Sequence, residues 1–197
     1  DGAWDQPLGL KALFGISEEA EAEASAQENA FQVTSLAVDG NNLWIGTSAG
    51  LAHYSGISGD LMVVKSLGNP IVEALALDNL GRIWVGTNGD GVWLHELDGR
   101  WRHFKHDPLD ASSLPGNQVS SNSLAADKQV IGGMWAIVNS KELVRWDGTR
   151  WQRAARAWPL PSNLLWAVYS DTVDGSLWVG SEAGVTRYDG RTWHTFD

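Results

Sequence analysis

One phrase recurs along this chain at a spacing in the forties, and no other feature restricts the fold as tightly. It reads LWIGTSAGLAHY at 43–54, IWVGTNGDGVWLH at 83–95 and LWVGSEAGVTRY at 177–188, with a divergent copy, MWAIVNSKELVRW, at 134–146. The aligned tryptophans are Trp44, Trp84, Trp135 and Trp178, so successive copies stand 40, 51 and 43 residues apart. A repeat of this length, built of several short apolar stretches, is the pattern of a β-propeller blade.

Each unit divides into four short strands with no helical periodicity. The first is apolar and ends on an acidic turn: VTSLAVDG, IVEALALDN, SLAAD and LLWAVYSD. Asp-Gly and Asp-Asn at that point suit a tight reversal that needs positive φ. The second strand carries the repeated tryptophan and is apolar without alternation, as in a strand covered on both faces. Gly46, Gly86 and Gly180 interrupt it where a neighbour must approach closely. A turn closed by Gly50, Gly91 or Gly184 leads to the third strand, which carries Tyr54, His95, Trp146 or Tyr188. An Asp-Gly pair and one or two spacers then open a fourth strand, RWRHF, RWQRA or TWHTF; the first unit has LMVVKSL instead. A lone sheet of this kind exposes two apolar faces, which stacking on neighbours would bury.

Composition agrees with repetition. Trp occurs 12 times against 4 Phe and 3 Tyr, and Gly 22 times, which points to one structural position used repeatedly. The net charge of -10, with no basic stripe to offset it, argues against nucleic acid as a partner. With no cysteine there is no disulfide, thiolate metal site or Cys nucleophile. No apolar run approaches the roughly 18 residues of a membrane span.

At these phrases the chain resembles the two-component regulator propeller repeat. LWIGTSAGLAHY and LWVGSEAGVTRYDG carry the resemblance, together with the leading Asn69, Asn117 and Asn163, and with Asn29 as a candidate fourth. It covers about 29–197. The third copy departs from it, lacking both the Gly-Thr pair and the turn glycine, so a distorted blade or a turn with another task is expected there. The resemblance implies an all-β propeller of four recognisable four-stranded blades, over about 29–67, 68–106, 117–154 and 162–197. It also implies an extracytoplasmic (periplasmic or cell-surface) sensor domain of bacterial origin.

Three arrangements remain open: a piece of a larger ring, a closed four-bladed ring, and a ring completed by further blades, copies or another chain. The opening DGAWD reads as the fourth strand of a preceding blade. The acidic stretch within 1–28 breaks the pattern and reads as a strand followed by a short helical insert, with a Ser cap and early Glu residues.

Candidate chemistry is sparse. His103 and His106 stand three apart, which on a strand sends their rings to opposite faces. DTVDGS at 171–176 lacks the ligand spacing of a calcium loop and aligns with the turns at Asp39, Asp78 and Asp127. No catalytic residue, metal site or cofactor is expected. The repeat tryptophans read as core, and Trp101, Trp151 and Trp193 as packing between blades. Trp93, Trp158 and Trp166 lie outside the repeated positions, and Trp158 stands in a Pro-bounded loop suited to ligand contact. The turns between second and third strands share one face with the connections between blades. The family resemblance implies that this face carries ligands; here it would present Ser48, Asn88, Asp90, Asn139, Trp158 and Glu182 as ligand-binding residues. The first functional expectation is a non-catalytic recognition module that binds a glycan or protein partner there. A structural subunit of a larger assembly and a propeller lyase are the alternatives.

Overall fold

The computed structural model describes residues 10–16, 31–153, 158 and 160–196. Sixteen strands form four antiparallel sheets in which sequence neighbours are spatial neighbours. The first sheet comprises β1 (Val33–Asp39), β2 (Asn42–Thr47), β3 (Gly50–Ser55) and β4 (Leu61–Val63). The second comprises β5 (Val72–Leu77), β6 (Ile83–Thr87), β7 (Val92–His95) and β8 (Trp101–Phe104). The third is β9 (Leu124–Asp127), β10 (Gly133–Val138), β11 (Glu142–Trp146) and β12 (Trp151–Arg153). The fourth is β13 (Leu165–Ser170), β14 (Leu177–Ser181), β15 (Gly184–Tyr188) and β16 (Trp193–Phe196). The expected DGAWD strand and most of the acidic insert lie outside the described residues; a short helix, α1 (Leu10–Leu13), is the part of the insert that is described.

The sheets are the blades of a propeller. Their first strands pack in series: β1 on β5, β5 on β9, β9 on β13. No comparable packing returns β13 to β1 among the described residues. Three cores result, each shared by two consecutive blades. Trp44 and Leu51 of the first blade pack with Val72, Ile83 and Val85 of the second. Trp84, Val92 and Leu94 pack with Met134, Val144, Trp146 and Trp151. Trp135, Ile137 and Leu143 pack with Leu165, Leu177 and Val179. Burial of both faces explains why β6, up to its terminal Thr87, and β10 are apolar without alternation and buried throughout.

The two reversals that sequence flagged as acidic are built by their carboxylates. Asp78 has a fully buried side chain that accepts the backbone N–H groups of Leu80 and Arg82, the Arg82 guanidinium at 2.7 Å and the Trp84 indole at 2.9 Å. The Asp-Gly pairs before the fourth strands work similarly. Asp98, Asp147 and Asp189 each accept backbone N–H groups two or three residues on, and Gly99, Gly148 and Gly190 supply φ of 85°, 99° and 95°. The third blade, for which distortion or a turn with another task is expected, pairs in continuous register from Met134↔Trp146 to Val138↔Glu142. Asn139 and Ser140, both at φ 54°, replace the missing glycine there. Asn is tolerated in this region, and two such residues make the tight hairpin that β-strand twist favours.

Candidate functional site

Antiparallel order sorts the loops onto two ends. The β2–β3 turn and its counterparts in the other blades share one end with the connections between blades. The acidic turns and the Asp-Gly turns share the other.

At the first end, one device builds the turns. Thr47 and Thr87 each donate a hydroxyl hydrogen bond at 2.8 Å to the carbonyl of Gly50 and Gly91, and Ser181 does the same to Gly184 at 2.9 Å. The next residue then donates its backbone N–H to a carbonyl at the blade's entry: Ser48 to Gln32, Asn88 to Ile71, Asn139 to Gln118 and Glu182 to Leu164. These bonds place the turns along a continuous rim. Asn88 forms a β-bridge with Gln118, whose carbonyl receives the N–H of Asn139. Leu165 then donates to the carbonyl of Ser140, and Leu164 accepts from Glu182. Asn88, Asn139 and Glu182 therefore stand in sequence across three blades, exposed. Their side chains have no hydrogen-bond or ion-pair partner among the described residues.

The other sequence candidates are engaged. The Ser48 hydroxyl accepts from the Gln32 N–H at 3.0 Å. Asp90 takes the Trp93 indole N–H at 3.1 Å, Lys105 at 2.5 Å and His103 at 3.2 Å, while His103 stacks on Trp93 with ring centroids 3.6 Å apart. Partial burial disfavours the Asp90 carboxylate, but Lys105 and Trp93 outweigh it and hold its pKa below the usual range. Trp158 does not stand free on the rim. It packs edge-on against Trp135 at 5.1 Å and stacks on Trp193 at 5.6 Å, closing the third core. Among the described tryptophans the exposed one is Trp166, 63% accessible.

Sequence reading missed the clefts at the opposite end. One of about 580 Å³ is walled by Arg82, Arg100 and Arg102, with Glu96 and Asp98 paired to them at 2.6–3.3 Å. Another, of about 330 Å³, lies between the first two blades, where Trp44 contacts both His53, at 4.4 Å, and His95, at 5.4 Å. Asp39, Asn42 and Glu96 complete its wall. Burial, then the neighbouring His95, lower the His53 pKa against the pull of Asp39. The signal was present in sequence: His53 lies on the third strand, where its cross-strand partner is Trp44. Two smaller clefts, of about 250 and 230 Å³, lie along β8 and β12 and along β5, β9 and β13. None of the four is lined by Ser48, Asn88, Asn139, Trp158 or Glu182. Among the described residues no group of three or more His, Asp or Glu is placed to hold a metal ion.

Comparison with known proteins places the repeat. Residues 66–89, spanning β5 and β6, match the family model for the two component regulator propeller. The fold is similar to the extracellular domain of a hybrid two component system from B. thetaiotaomicron, at 24% identity and TM-score 0.65, covering 86% of this chain and 24% of that one. It is similar to virginiamycin B lyase from Staphylococcus aureus, at 14% identity and TM-score 0.62, covering 83% and 55%. It is also similar to YCF48 bound to D1 peptide, at 16% and 0.58, covering 81% and 51%. No curated protein matches. The chain thus carries a two-component-regulator-type repeat in a propeller fold, and spans from about a quarter to about half the length of these structures. Among the described residues no helix is long and apolar enough to cross a membrane.

Proposed function

We propose that this chain is a non-catalytic recognition segment of an extracytoplasmic, bacterial sensor-type propeller, binding a glycan or a protein partner across its loop rim. One observation carries the reading. The backbone ladder from Asn88 through Gln118, Asn139 and Ser140 to Glu182 aligns three exposed polar side chains that the fold leaves unused. Amide and carboxylate groups in a row both donate to and accept from hydroxyls or peptide groups. Asp90 and Ser48 flank the row and are held by their own hydrogen bonds, which suits fixed contacts. Trp158 contributes by fixing the connection into the fourth blade.

The likeness of one repeat to two-component regulators supports a sensor, and the extracellular relative supports a location outside the cytoplasm. A shared fold does not by itself carry an activity. The test is binding to a printed array of bacterial and plant oligosaccharides, and to a displayed peptide library. The triple variant Asn88→Ala, Asn139→Ala, Glu182→Ala is expected to lose captured ligand at least tenfold with an unchanged circular dichroism spectrum. Unchanged capture by that variant would contradict this site.

A further inference from the structure

Three of the four blades carry the same charged pair, and the first holds only half of it. An arginine lies over the repeated tryptophan in each of the three: Arg82 over Trp84 at 5.9 Å, Arg145 over Trp135 at 5.1 Å and Arg187 over Trp178 at 5.8 Å. Each also pairs with an aspartate of its blade's acidic turn. Arg82 meets Asp78 and Arg187 meets Asp174, both at 2.7 Å, and Arg145 meets Asp127. The arginine comes from one of two positions. Arg145 and Arg187 stand opposite the tryptophan on the third strand. Arg82 stands two residues before it. In the first blade these positions hold His53, opposite Trp44, and Asn42.

The turn carboxylate of the first blade therefore lacks its cation. Asp39 pairs with Asn42 in register as Asp127 pairs with Gly133, two residues before the tryptophan in both blades. Its side chain makes no hydrogen bond or ion pair among the described residues, whereas Asp78 takes both the Arg82 guanidinium and the Trp84 indole. The cleft of about 330 Å³ opens at this point, walled by Asp39, Asn42, Trp44, His53 and His95. Glu96, also on the wall, is already held by Arg82 and Arg102. His53 covers Trp44 with ring centroids 4.4 Å apart, but burial, then His95, disfavour its charged form. A half-buried carboxylate beside aromatic rings attracts a cation.

We propose that this cleft binds a guanidinium group borne by a ligand, which takes the role that Arg82, Arg145 and Arg187 play in their own blades. The group pairs with Asp39 and lies against the rings of His53, His95 and Trp44. A planar guanidinium both stacks on rings and forks onto a carboxylate, which an ammonium does not. The net charge of -10 favours a cationic ligand over an anionic one. The site lies between the first two blades, at the end opposite the loop rim, and is independent of the surface proposed above.

Nuclear magnetic resonance titration with ethylguanidinium chloride tests this, with sodium chloride at equal ionic strength as the blank. The Trp44 indole and the backbone amides of Asp39 and Asn42 are expected to shift saturably, while the Trp84 and Trp135 indoles stay in place. Asp39→Asn is expected to weaken binding about tenfold. His53→Arg puts an arginine where Arg145 and Arg187 stand, and is expected to abolish binding with the amide spectrum otherwise intact. His53→Leu, which gives this position the residue that the second blade has in Leu94, is expected to keep binding. Saturation by N-acetyl-arginine amide as well assigns the site to an arginine side chain of a peptide. Saturation by ethylguanidinium alone assigns it to a free guanidino solute. Shifts that do not saturate, or unchanged affinity in Asp39→Asn, overturn the site. Equal loss in His53→Arg and His53→Leu overturns the equivalence with the repeat arginines. Equal affinity for N-acetyl-lysine amide overturns the guanidinium assignment.

Discussion

The glycine of the second strand shows how one residue records the neighbour it faces. Gly46 and Gly86 have a valine of the next blade within 2.6 Å of an added Cβ, while a Cβ on Gly180 would meet only the Ala167 carbonyl, at 3.8 Å. Sequence indicated that something bulky approaches this position, because a repeated glycine in an apolar strand has few other uses. It did not indicate what approaches, since the valine comes from the next unit and its register is fixed by bulges at Val33/Ser35 and Val72/Ala74. Gly86→Ala is therefore expected to destabilise the fold by about 1–3 kcal/mol through overpacking. Gly180→Ala is expected to leave stability unchanged, because the added Cβ would make only an ordinary contact. Urea denaturation of both variants checks this. Equal losses would remove the distinction between an occupied and an open hole. The tryptophans follow the same logic: Trp44, Trp84 and Trp135 are 8%, 0% and 2% exposed, as their core reading required. Trp178 is half-buried, because no described blade covers it.

At the scale of the element, turns were the most legible part of the chain. Asp followed by Gly before each of the last three fourth strands predicted a tight reversal, and each carboxylate caps it. The third blade was read less well. Its missing glycine suggested distortion or a turn with another task; Asn139 and Ser140 take up positive φ and the strands remain regular. Trp158 shows the limit of local reading for the candidate site. A Pro-bounded loop placed it on the surface, whereas contacts with Trp135 and Trp193, distant in sequence, draw it between blades. Asn88, Asn139 and Glu182 could be assigned to one end from sequence because turn position follows from strand order alone.

The capping carboxylates give a pH dependence with a definite sign. Bonds from the Thr192 backbone, then from the Thr192 hydroxyl and the Arg191 backbone, lower the Asp189 pKa from 3.8 to about 2. A depressed carboxylate contributes stability that is present above its unfolded value and lost as pH falls through the folded one. The β15–β16 turn is thus expected to hold above about pH 4 and to loosen between there and about pH 2. The amide resonances of Arg191 and Thr192 should titrate with a midpoint near 2. A midpoint at or above 3.8 would mean that the cap does not form in solution.

At the scale of the whole molecule, the account rests on blades that bury one another's faces, since that packing holds the loop rim in line. In repeat architectures stability is shared between each unit and its neighbours' interfaces. Amide hydrogen exchange, followed by mass spectrometry on wild type and Gly86→Ala, reads that sharing directly. The added methyl group lies in β6 but presses on Val119 of the connection into the third blade. The account predicts that protection falls on both sides of the junction, in β6 and in β10, with β2 and β14 less affected. Loss confined to β5–β8 would contradict it.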